Sequence, residues 1–79
     1  GGVAETTLMK DIARQVTALR LARGLTQAEL AQRVGTQQAG ISRLESGYHL
    51  PSLALLQKVA VALGARVDVV LRLELVEER

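Results

Sequence analysis

Glycines at positions 24, 35, 47 and 64 divide this chain into pieces of helical length. Within each piece the apolar residues recur every three or four positions. Leu8, Ile12, Val16 and Leu19 precede the first of these glycines, and Leu30, Ala31 and Val34 precede the second. Ile41 and Leu44 precede the third, and Leu53, Leu56, Val59, Ala60 and Leu63 precede the fourth. Such spacing puts one apolar stripe on each helix. Capping residues stand where the helices should open. Thr6 or Thr7 starts a helix over residues 6–23, and Thr36 starts one over residues 37–45. Ser52 starts the last helix. Thr26 and Glu29 form a capping box ahead of a helix over residues 27–34. One more glycine, Gly40, falls inside the third helix and costs about 1 kcal/mol of helix propensity relative to Ala.

After Gly64 the period changes from helical to two. Val67, Val69, Leu71, Leu73 and Leu75 fall on one face, and Arg66, Asp68, Val70, Arg72 and Glu74 on the other. This predicts a strand over residues 65–75. Nothing else in the chain has a strand pattern, and a lone strand leaves its backbone amides and carbonyls unpaired. The same strand from a second copy, antiparallel across a two-fold axis, is the simplest remedy. The expected architecture is therefore mainly α: a helical bundle plus one C-terminal β-strand that pairs across a homodimer. Residues 1–5 are expected to be an unstructured leader whose Gly1-Gly2 is a cloning remnant. Residues 6–64 form the helical domain, 65–75 the dimer strand and 76–79 a charged tail.

Seventy-nine residues supply one domain. Its core must be aliphatic, because Tyr48 is the only aromatic residue. Absence of cysteine removes disulfides and thiolate metal sites, and the single histidine, His49, removes imidazole clusters. Ser42 has no neighbouring histidine, and Gly40-Ile41-Ser42 lacks the second glycine of a nucleophile elbow. No catalytic residue, metal or cofactor is expected. No apolar run approaches the ~18 residues needed to span a bilayer. Charge is unevenly spread. Between Leu8 and Leu63 seven basic residues face three acidic ones, whereas from Gly64 onward three basic face four acidic. A basic helical part of this kind suits a nucleic-acid partner.

Two short helices joined by a glycine turn make a helix-turn-helix. Leu30 and Ala31 on the first, Val34 before the turn, and Ile41 and Leu44 on the second are the residues where the helices must touch. The motif residues Leu25-Thr26-Gln27-Ala28-Glu29-Leu30-Ala31, Gly35, and Ile41-Ser42-Arg43-Leu44-Glu45-Ser46-Gly47 resemble the XRE/Cro family of phage and bacterial repressors. Pro51-Ser52-Leu53 and Ala62-Leu63-Gly64 extend the likeness, which runs from about Val16 to Gly64.

The resemblance implies a lambda-repressor-like bundle of four or five helices, with the helix at residues 37–45 entering the major groove of duplex DNA. It assigns base reading to Gln37, Gln38, Ala39, Ser42 and Arg43. Side-chain chemistry agrees, since Gln can pair with adenine, Arg with guanine, and an Ala methyl can touch thymine. It assigns phosphate binding to Gln27, at a helix N-terminus that suits an anion, with Ser46 and Gly47 as further phosphate candidates. It pairs Arg20 with Glu45 as a structural brace, buried or exposed. Tyr48 either touches the DNA backbone or packs on the fourth helix.

A helix-turn-helix followed by one pairing strand (Val67, Val69, Leu71, Leu73) also resembles antitoxins of the HipB type. That likeness implies a homodimer on a palindromic operator, autoregulation of its own promoter in the bacterial cytoplasm and nucleoid, and a HipA-type kinase toxin as partner. The sequence leaves three alternatives open: a stand-alone regulator, the antitoxin of a ribonuclease toxin, and a protein-interaction module with degenerate DNA binding.

Overall fold

The computed structural model describes residues 3–75, with side chains from Thr6 onward. The expected C-terminal tail, 76–79, and the Gly1-Gly2 remnant lie outside the described residues. Helices follow in the order α1 (Val3–Ala22), α2 (Gln27–Val34), α3 (Gln38–Ser46) and α4 (Leu53–Ala62). α3 packs on both α1 and α2, and α4 packs on α2. The core between them is aliphatic: Val16, Leu25, Leu30, Ala31, Ile41, Leu44, Val59 and Leu63. Leu30, Ile41 and Val59 are fully buried. Burial of a Leu, Ile or Val side chain contributes roughly 1.5–3 kcal/mol, so this cluster is the main source of cohesion.

Local signals set the helix boundaries. α2 opens on the expected capping box, in which the Glu29 amide donates to Thr26 Oγ1 at 3.0 Å and the Thr26 amide to Glu29 Oε1 at 2.9 Å. It closes at Gly35, whose φ of 84° lets the amides of Gly35 and Thr36 both donate to the Ala31 carbonyl at 2.9 Å. A side chain bearing a Cβ is strained in that left-handed conformation. Ser52 caps α4 as expected, accepting from the Leu55 amide at 3.1 Å.

Two boundaries differ. α1 opens at Val3, so Thr6 and Thr7 lie within it rather than at its start, and the expected leader is helical from residue 3. At α3 the N-cap is Gln37, which makes no side-chain cap bond. Thr36, expected there, instead places its Oγ1 3.2 Å from the point a Cβ on Gly40 would occupy. A side chain at position 40 would therefore press on the Thr36 hydroxyl.

Two further expectations are corrected. Leu8 and Leu19 share the α1 stripe with Ile12 and Val16, yet both remain substantially exposed. They border an open groove that α1 forms with α4 and the segment after Gly64. That segment, residues 65–75, shows no strand in the single chain. A strand is defined by its ladder, and one copy of the chain offers this segment no second strand to pair with. Val67 is half-buried, whereas Val69 and Leu71 are exposed and Leu73 is 93% exposed.

Candidate nucleic-acid interface

The turn between α2 and α3 gives α3 two distinct faces. Ile41 and Leu44 point into the core, and Gln38, Ala39, Ser42 and Arg43 lie exposed on the opposite side. Their spacing of one, four and five positions is that of a single helical face. Gln37 stands at the N-cap, also exposed. The structure therefore brings all five residues expected to read bases onto one exposed edge. α3 carries no acidic residue in its first turn, so its positive N-terminal end is not offset by a neighbouring carboxylate.

A part-buried polar network fixes that helix. Arg20 on α1 donates from Nε to Glu45 Oε2 at 2.7 Å and from Nη2 to Oε1 at 2.9 Å. The Arg20 and Glu45 side chains are only 11% and 5% exposed, so the brace left open by the sequence is largely shielded, though neither residue is fully buried. Arg20 Nη1 also donates to the Leu25 carbonyl at 2.8 Å, tying in the start of the α2 turn. Gln27 Nε2 adds a third contact to Glu45 Oε1 at 3.2 Å. One carboxylate thus joins α1, α2 and α3. Burial opposes ionisation of Glu45, but hydrogen bonds from Arg20, Gln27 and Thr17, with the Arg20 charge, outweigh it and hold the carboxyl below its ordinary range. The same pairing raises the Arg20 guanidinium above its usual value.

The expected phosphate residues are placed unevenly. Gln27 is the first residue of α2 and half-buried, with one amide hydrogen committed to Glu45 and another left for an acceptor. Ser46 Oγ donates to the Arg43 carbonyl at 2.6 Å and accepts weakly from the Tyr48 amide at 3.4 Å. Gly47 is buried: a Cβ there would stand 3.5 Å from the Ala13 Cβ and the Lys10 Cα, which makes it a packing position between α1 and the end of α3. Tyr48 is 77% exposed, so packing on α4 does not describe it.

Sequence reasoning missed two partners. Arg43 Nη2 and His49 Nδ1 lie 3.2 Å apart, across the end of α3. The Gln27–Glu45 bond was also not anticipated. Neither carries a local pattern, because each depends on how the chain returns after a turn. Among the described residues no group of His, Cys, Asp or Glu could hold a metal ion, and no helix is long and apolar enough to cross a membrane.

Residues 16–70 match the HTH_3 helix-turn-helix family. The chain belongs to that family. This HTH_3 chain is 54% identical over 41 residues to a Methanothermobacter thermautotrophicus protein described as an uncharacterized HTH-type transcriptional regulator. That alignment covers 52% of the chain and 59% of the relative. An Archaeoglobus fulgidus protein of the same description is 39% identical over 54 residues, covering 68% of the chain and 77% of the relative. A crystal structure of an HTH_3 family transcriptional regulator from Vibrio cholerae superposes with a TM-score of 0.73 at 34% identity. It covers 77% of this chain, which spans only 34% of that longer one.

Proposed function

We propose that this HTH_3 chain is a sequence-specific DNA-binding transcriptional repressor that docks α3 in the major groove of an operator. The observation that carries this reading is the exposed Gln38–Ala39–Ser42–Arg43 face on a helix braced from behind by the Arg20–Glu45–Gln27 network. Rigid support matters because a bidentate base contact tolerates little error in angle. The naming of its relatives as HTH-type transcriptional regulators points the same way. Gln37, Gln38, Ala39, Ser42 and Arg43 supply base contacts. Gln27 grips a phosphate through its free amide hydrogen and the N-terminal amides of α2. Ser46, whose hydroxyl hydrogen goes to the Arg43 carbonyl, and Gly47, which is buried, are left out of this reading.

The finer reading is of a homodimer, sealed by residues 67–73, that serves as the antitoxin of an operon it represses and that binds a HipA-type kinase. Support for it is the alternating apolar pattern of Val67, Val69, Leu71 and Leu73, the last three exposed in one chain and suited to pairing with another. Isolation of the tagged protein with a stoichiometric kinase-like partner and DNA of its own promoter is the expected result. DNA from several promoters and no partner protein would reduce the reading to a plain repressor.

DNA recognition itself is tested by selecting sites from a random duplex library and titrating variants on the selected and scrambled duplexes. Arg43→Ala should relax preference at one base pair per half-site, with a loss of about 1–3 kcal/mol on the selected site. Gln27→Ala should weaken both duplexes alike. Equal losses for Arg43→Ala on both duplexes would remove its base-reading role.

A further inference from the structure

We propose that His49 is a specificity-determining positioning residue, which holds the Arg43 guanidinium in the pose from which it meets a base. This rests on the reading of Arg43 as a base contact. The chain turns back sharply at Gly47, where φ is 78°, and so returns His49 to the side of the helix it has just left. There His49 Nδ1 stands 3.2 Å from Arg43 Nη2. A guanidinium can only donate, so the ring nitrogen facing it must be the bare acceptor of a neutral imidazole, with its proton on Nε2. No carboxylate pairs with Arg43 among the described residues, and His49 is the only partner of its guanidinium.

An imidazole suits this position better than an acid would. A carboxylate would also hold Arg43, but it would neutralise the charge that draws the side chain to DNA and would repel the phosphates. A neutral ring uses one of five guanidinium hydrogens and leaves enough for both acceptors on a guanine edge. It also limits the rotamers of a long exposed side chain before binding, when that ordering would otherwise oppose association.

The test is the ratio of affinities for a selected duplex and for the same duplex changed at the base pair Arg43 reads. It is measured at fixed salt and fixed pH. His49→Ala should lower the ratio about three- to tenfold. His49→Asn, which keeps an acceptor near Nδ1, should restore the ratio. Circular dichroism will verify that these surface variants stay folded. If His49→Ala keeps the original ratio while Arg43→Ala relaxes base preference, the role of His49 is overturned and that of Arg43 stands. If Arg43→Ala leaves base preference intact, both fall together.

Discussion

Glu45 carries a larger share of the fold than its place on the reading helix suggests. Its carboxylate is nearly buried, and the groups that hold it come from two other helices, α1 and α2. Glu45→Ala leaves the part-buried Arg20 guanidinium without its partner, so denaturant titration should show a loss of about 1–3 kcal/mol, between that of an exposed and that of a buried pair. The pH dependence has a definite sign. The folded-state pKa of Glu45 lies below the unfolded value of about 4.3. Its stabilisation is therefore fully present above that value and is lost as pH falls through the folded pKa. Acid titration of the unmodified chain should show this loss, and Glu45→Ala should lack that component. The pairing of Arg20 with Glu45 was legible in the sequence through the family resemblance. Its burial was not, because that depends on Leu25 in the turn after α1 and Gln27 at the start of α2 arriving beside the pair. Arg43 and His49 escaped for a related reason: they meet only because the chain reverses at Gly47.

The helices were legible because each carries its own start and stop. The Thr26–Glu29 box, the Gly35 turn and the Ser52 cap all stand where the residue chemistry puts them. Where the expectation slipped, at Thr36 and at Thr6 or Thr7, a residue able to cap lay within a few positions of the boundary the backbone adopts. The segment after Gly64 is of another kind, since no residue within a strand can supply the strand's partner. Its apolar face is a statement about association. Val69→Asp places a charge in the middle of that face, and sedimentation should show weaker self-association for the variant. Sedimentation identical to that of the unmodified chain would remove the segment from the dimer seal. A self-associating chain whose segment pairs in this way would also give Leu8 and Leu19, which border the groove, a cover they lack in one copy.

At the scale of the molecule, the arrangement is a helical unit with an exposed C-terminal extension, 51 Å along its longest axis and 21 Å across the other two. Its radius of gyration of 14.2 Å exceeds the ~12 Å of a compact chain of this length, consistent with an extension that lies clear of the core. A two-fold dimer would set two α3 helices about 34 Å apart, one turn of duplex. If such a dimer makes about six to ten phosphate contacts, its affinity should drop about 10³- to 10⁵-fold as salt rises from about 50 to about 200 mM. Binding measured across that range checks this, and a nearly flat dependence would show that backbone contacts contribute little.

The only Phe, Tyr or Trp in the chain, Tyr48, sits outside the core, one residue from His49 and beside the end of α3. Optically, then, the folded interior is dark. Ultraviolet absorbance and tyrosine emission come from a solvent-exposed loop, so they will pass almost unchanged through unfolding of the aliphatic core. The same ring becomes a native reporter of the neighbourhood of Arg43, without any added dye.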